Sequence, residues 1–263
     1  MNKFIKLSVL IIFMQCLPFY ASAGSDGTIS LSEKDKPVKD CFEKINRTTF
    51  AFNQSLDRVL FKPIAKGYNK LPRPIKNGSS NFVGNISNLV TIPNNILQGD
   101  FKSAGINTIR LIINTTLGIV GLYDAAEAMG LEKLDKEDYG QTLGKMGVGP
   151  GCYLVLPVLG PSTVRDTIGN FANFSGGDPF YNITIKHDTQ YFSEPDYYST
   201  RATAALDFRA KNLGSLDNLE KNSVDFYAAV RSLYLQDRQK KIANNEVATE
   251  TMDDSDWEEI EEQ

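Results

Sequence analysis

Apolar residues recur at three- and four-residue steps through most of this chain, the period of amphipathic α-helices. Between Asp40 and Leu60 the stripe is Phe42, Ile45, Phe50, Phe52, Leu56 and Leu60, and Asp40 with Glu43 three residues on has the form of a capping box. Pro63 restarts the chain, and Ile64, Tyr68 and Leu71 carry the stripe to Pro72. Ile75–Leu97 reads as a further helix, broken near Pro93 because proline removes a helix N–H. Gly99-Asp100 supplies a turn and a cap for Phe101–Leu117, which has Ile106, Ile109, Ile113 and Leu117 on one side and Gly118 and Gly121 as its stop. Ala202–Leu216 and Ser223–Ala243 predict two more helices, the second turning Phe226, Val230, Leu233 and Tyr234 inward. Hairpin and βαβ signals are few and no internal repeat is present, so the pattern predicts a mostly α domain over residues 40–243.

One stretch departs from this pattern. Gly140, Gly144, Gly147, Gly149, Pro150 and Gly151 precede the apolar run Tyr153–Leu159 and then Gly160-Pro161-Ser162. Glycine at that density permits positive-φ turns and close backbone approach.

The ends read differently again. Lys3 and Lys6, the apolar run Leu7–Leu17 and Ala21-Ser22-Ala23 are the three parts of a secretory signal peptide, residues 1–23, with cleavage expected between Ala23 and Gly24. The run is too short to span a bilayer of about 30 Å. Bulky Phe13, Met14 and Gln15 precede Cys16, so acylation of Cys16 is not expected. Residues 24–39 form a polar, flexible lead. The tail, residues 244–263, carries nine acids and no base from Glu246 onward and reads as disordered. The whole chain has 28 basic and 32 acidic residues, so this tail leaves a mildly basic body, suited to an anionic membrane surface but not to nucleic acid.

Candidate chemistry is sparse. Only Cys41 and Cys152 follow the cleavage site; in an oxidising compartment they can pair or stay as two buried thiols, which spacing does not decide. The one histidine, His187, has Asp188 beside it, and adjacent side chains point apart, so a Ser-His-Asp site has no natural orienter. Gly160-Pro161-Ser162-Thr163 is a poor nucleophile elbow, and Gly147–Gly151 lacks the Lys-Ser/Thr of a P-loop. Cys41, Cys152 and His187 show no zinc spacing. No catalytic residue, metal or cofactor is expected. What remains is aromatic residues on helices that also carry Arg47, Arg58, Lys62, Lys66, Arg73 and Lys76, a combination found at membrane interfaces.

Asp40-Cys41-Phe42-Glu43-Lys44-Ile45-Asn46-Arg47 with Phe50-Ala51-Phe52-Asn53 resembles the opening signature of the MlaA (VacJ) family of outer-membrane phospholipid-asymmetry proteins. The likeness continues in order through Lys62-Pro63-Ile64-Ala65, Ser80–Asn85, Leu97–Asp100, Arg110 with Asn114-Thr115, Gly140–Gly144, Gly147–Gly149, Tyr153–Pro157, Gly160–Ser162, Arg165-Asp166 and Tyr234–Gln236. It covers about Asp40 to Ala243.

The resemblance implies a single-domain ring of amphipathic helices lying in one leaflet on the periplasmic face of the Gram-negative outer membrane. It implies an amphipathic channel, association with a trimeric porin, and delivery of misplaced phospholipid to a periplasmic carrier. A scaffold that binds porin and moves nothing is the alternative. A Gly-flanked gating hairpin would fall at Gly147, Gly149 and Gly151. Arg47, Arg110 and Arg165 are the candidate headgroup contacts, with Glu43, Asp100 and Asp166 as alternative ion-pair partners, and Arg110→Ala is expected to slow transfer with the fold intact. The chain is expected to depart from the family in having no acylated cysteine, and it places Cys41 and Cys152 where proline is usual in the family, which favours a disulfide between them.

Overall fold

In the computed structural model, residues 38–186 and 193–243 are described. The expected signal peptide with Ala23 and Gly24, Cys16, most of the lead, His187 and the acidic tail lie outside them.

The chain begins with α1 (Glu43–Leu56), which continues through a wider π turn, Asp57–Phe61, into α2 (Lys62–Asn69). The capping box does not form: Phe42 takes the cap position without a side-chain bond. Asp40 instead accepts from Asn46 Nδ2 at 2.7 Å and from the Tyr227 hydroxyl. α3 (Arg73–Leu97) runs unbroken through Pro93, correcting the expected break. Around the proline, Thr91 Oγ1 donates to the Ser87 carbonyl and Asn94 Nδ2 to that of Val90, so side chains supplement the helix's own bonding. α4 (Phe101–Thr116) is capped as expected, Asp100 accepting from Ser103 N at 3.0 Å.

Two short helices follow, α5 (Ala125–Ala128) and α6 (Tyr139–Lys145). An antiparallel hairpin comes next, β1 (Tyr153–Leu156) with β2 (Gly160–Thr163), in the register Tyr153↔Thr163 and Leu156↔Gly160. Then come α7 (Val164–Ala172) and the one-turn α8 (Pro179–Tyr181), each running on into a π turn. α9 (Glu194–Lys211) starts at a capping box made by Ser193 and Asp196, and Asn212 separates it from α10 (Leu213–Asn222). The predicted helix Ala202–Leu216 is therefore two helices. α11 (Phe226–Ile242) closes the described chain with Tyr227 buried and with Phe226 and Tyr234 turned to the core as expected, whereas Leu233 is half exposed, which corrects its inward assignment. The expectation of a mostly α protein holds.

One core is of the ordinary kind. Tyr153, Val155 and Tyr227 are buried, with Val38, Phe50, Tyr234 and Leu235 packed against them. Phe50 meets Phe226 and Tyr227 edge-on at 5.4 and 5.5 Å, the geometry that ring quadrupoles favour. Cys41 and Cys152 are joined as a disulfide with Cα atoms 5.6 Å apart. Beside it, Tyr153 N donates to the Lys39 carbonyl at 2.9 Å, which ties the start of the described chain to β1. α1 completes the edge of β1 with side chains. Asn46 gives and takes bonds with Tyr153 O and Val155 N, and Asn53, two turns on, does the same with Leu156 O and Val158 N. Two amides at helical spacing thus replace a third strand.

Candidate functional site

The pairing of α3 with α4 reverses the usual rule. Asn85, Asn88, Thr91, Asn94 and Asn95 of α3 are buried, as are Asn107, Arg110 and Asn114 of α4. Apolar residues of α4 and of the turn after it face out, Ile109, Ile112 and Leu117 being 50%, 57% and 61% exposed, while Ile106 and Ile113 are half-buried. Among the described residues, buried polar or charged side chains outnumber buried hydrophobic ones by twenty to ten. Exposed apolar residues extend to Phe42, Ile45, Phe52, Val59, Leu60 and Ile64 at the N-terminal end and to Ile96, Leu97 and Phe101 at the turn between α3 and α4. In water such an exterior is an interaction surface. No helix among the described residues is long and apolar enough to cross a membrane.

Hydrogen bonds hold the polar seam together. Arg110 forks onto Asp124 with bonds of 2.8 and 2.7 Å, and Asn114 adds a third at 2.9 Å. Burial lifts the Asp124 carboxyl, but these partners override it and leave it below the usual carboxylate range. Asn107 bridges to Asn95 at 3.0 Å, and Thr142 donates to Asn94 at 2.6 Å. Lys136 reaches Asn88, and burial, with Arg110 and Lys133 nearby, pushes its ammonium down to about 8. Asn85, Asn107, Gln98 and Gln141 each keep a buried amide oxygen without a partner, so the seam carries unused acceptors.

A cavity of about 440 Å³ opens where α2, α3, α5 and α9 meet, with Lys76, Lys133 and Lys211 around it and Glu127 and Asp207 among them. A second, of about 520 Å³, lies at the other end of α3, beside Asp100, Lys102, Glu132 and Lys145. Among the described residues, no group of three or more His, Cys, Asp or Glu side chains could hold a metal ion.

Behind the seam, α6, α7 and α11 are locked by Arg238, which forks onto Asp138 at 2.6 and 2.9 Å and bonds Asp166 at 2.8 Å. Burial raises the Asp138 carboxyl and Arg238 overrides it, holding it at about 2. α6 and α7 cross so closely that a Cβ on Gly169 would lie 2.3 Å from Gly140 N, so neither position admits a side chain without movement.

The candidate residues fall as follows. Arg110 pairs with Asp124, not Asp100, and is buried; Arg165 is buried against Asp166 at 3.0 Å. Arg47 stays half exposed but bonds both Glu43 and Asp225 and stacks 4.4 Å from the Tyr227 ring centre. All three have protein partners, which turns attention for a headgroup contact to the lysines of the cavity. The stretch Gly147–Gly151 is not a hairpin, correcting that assignment. It is the loop from α6 to β1, with positive φ at Gly147 (90°) and Gly151 (68°) but not at Gly149. The hairpin itself is Tyr153–Thr163, its turn bearing exposed Val158 and Leu159. Sequence reasoning missed Asn46 and Asn53 as edge partners and Asp124 as the buried counter-ion. The i, i+3, i+7 run of polar Asn107, Arg110 and Asn114 was the available signal.

Polar groups bonded inside and apolar groups outside are, among the described residues, the pattern of helices suited to a membrane interface. The chain belongs to the MlaA family: the family model described as MlaA lipoprotein matches residues 38–241. It is similar to an uncharacterized protein of Rickettsia bellii, 37% identical over 79% of this chain and 78% of the relative. It is also similar to the intermembrane phospholipid transport system lipoprotein MlaA of Escherichia coli, 33% identical over 91% of this chain and 89% of that protein. A solved structure described as "Structural basis for maintenance of bacterial outer membrane lipid asymmetry" aligns with a TM-score of 0.65 at 32% identity, over 78% of this chain and 99% of the solved one. The family and the Escherichia coli protein are described as lipoproteins, which gives no support to the expected unlipidated start.

Proposed function

We propose that this protein transfers mislocalised phospholipid at the outer membrane of a Gram-negative bacterium. In this reading its helices form a ring in the periplasmic-facing leaflet and border an amphipathic passage. Lipid moves through it to a soluble periplasmic carrier, and a trimeric porin is the membrane partner. The kinship with intermembrane phospholipid transport proteins supports this. The carrying observation is the inversion of α3 and α4, polar seam inside and Ile109, Ile112 and Leu117 outside. A two-tailed lipid needs a wet path for its head and an apolar side for its tails, because a charge in hydrocarbon costs several kcal/mol. The glycine loop at Gly147 and Gly151 is the proposed gate. Gly147 and Gly151 take positive φ, and the space around Gly147 and Gly149 is open, whereas Gly151 lies against Val164.

The test is a lipid-asymmetry assay in a deletion strain with and without this gene. Restoration of asymmetry by the gene is the expected result. A protein that binds porin, carries no phospholipid on purification and fails to restore asymmetry is a scaffold, and the transport reading then falls. Mass analysis of the non-reduced mature protein reports the cleavage site and any acyl chain together.

A further inference from the structure

We propose that the cavity of about 440 Å³ between α2, α3, α5 and α9 binds the zwitterionic headgroup of a phospholipid, with Lys76 and Lys133 on its phosphate and Glu127 on its amine. This deepens, and rests on, the transport reading above.

The lysines differ in what they have left to give. An ammonium has three donors. Lys211 is committed, 2.8 Å from Asp207 and bonded to Ser80. Lys76 donates to one group, the Asn69 carbonyl, at 3.0 Å. Lys133 is half exposed and lies 3.8 Å from Asp124, a carboxylate already taken by Arg110 and Asn114. Lys76 and Lys133 therefore keep N–H groups for an anion, and they reach the cavity from different segments. Of the two lining acids, Asp207 is held by Lys211 and by the Tyr68 hydroxyl at 3.2 Å. Glu127 projects from α5, exposed, and among the described residues no cation pairs with its carboxylate. Two available cations and one available anion match a phosphate linked to an ammonium better than they match a bare phosphate.

The surroundings favour a lipid over a free phosphoester. The segments that bring Lys76, Asp207 and Glu127 to the cavity each also bear an exposed apolar residue close by in the chain. Ile75 precedes Lys76 and is 53% exposed, Phe208 follows Asp207 and is 65% exposed, and Met129 lies two residues past Glu127 and is 59% exposed. A soluble anion has no use for them, whereas acyl chains do.

The experiment uses the full mature chain in detergent, with binding read by native mass spectrometry. The probes are phosphatidylethanolamine, phosphatidylglycerol, diacylglycerol and inorganic phosphate. Wild type is expected to bind phosphatidylethanolamine best. Lys76→Ala and Lys133→Ala should each weaken it about tenfold, as loss of a charge-assisted bond does, with the melting temperature unchanged. The matching arginine variants should retain binding, and Glu127→Gln should erase the preference over phosphatidylglycerol. Unchanged phosphatidylethanolamine affinity in the double Lys76→Ala, Lys133→Ala variant overturns the assignment. So does diacylglycerol binding equally well, or inorganic phosphate binding as tightly, which would make the cavity a free-anion site. The two readings fail separately: a wild-type protein that neither carries nor transfers lipid removes transport itself, whereas a double variant that transfers at the wild-type rate removes this site alone.

Discussion

The two ends of the described chain meet around Tyr153, Val155 and Tyr227, and there the protein is built like a water-soluble one. Aromatic rings fill the middle and a disulfide ties the edge. The α3–α4 pair is built the other way round, with Arg110, Asp124 and a run of asparagines inside and isoleucines outside. The difference shows where the hydrophobic effect operates. In the aromatic part apolar area leaves water when the chain folds. In the α3–α4 part it leaves water only when the folded protein meets a membrane, so hydrogen bonds and charge pairs must hold the fold meanwhile. Such bonds add modest net stability when made but cost much when one partner is removed.

That contrast can be broken most sharply at Asp124. Replacing it with alanine leaves the Arg110 guanidinium buried without its counter-ion, and unfolding in detergent should show a loss of about 3–5 kcal/mol. Arg110→Ala should do comparable harm, against the expectation of an intact fold. A loss under about 1 kcal/mol for either would mean that the seam is not held by its charges. In the aromatic part, Cys152→Ser opens a loop spanning 111 positions and should cost about 2–4 kcal/mol by denaturant midpoint. A larger loss there than at Asp124 would reverse the ranking of the two parts.

Acid sharpens the comparison further. The Asp138 carboxyl is held at about 2, below its ordinary 3.8, so the unfolded chain takes up the proton first. The stability it contributes is present above about pH 4 and lost as pH falls towards 2. Discounted for its partly exposed side chain, this amounts to about 1 kcal/mol. Arg238→Met should flatten that acid limb in a plot of melting temperature against pH. The smallest effect on stability is expected at the apolar exterior. Ile112→Ser should change the unfolding free energy by less than about 0.5 kcal/mol while weakening vesicle partitioning roughly tenfold. If stability falls and partitioning does not, Ile112 belongs to a core and not to a membrane face.

Much of the architecture was legible along the chain. The α3 and α4 stripes, the Asp100 cap and the positive-φ glycine turns all have local causes: side-chain period, capping chemistry and the freedom of glycine. The cap at Asp40 and the break at Pro93 misled because tertiary partners override local preference. Asp40 is drawn to Asn46 and Tyr227, and α3 keeps its course packed against α4. Of the candidate site, the arginines were visible but their use was not. A cation on an amphipathic helix looks the same whether it meets a lipid phosphate or a carboxylate far along the chain, and for Arg47 one partner, Asp225, is 178 residues away.

By itself, then, the sequence determined helical periodicity, family membership and the presence of two cysteines able to pair. Which face of each helix turns inward was decided only in three dimensions. Period fixes that polar and apolar stripes exist on opposite sides, but the medium around the folded protein and the distant partners Asp124 and Asp225 decide which stripe is buried.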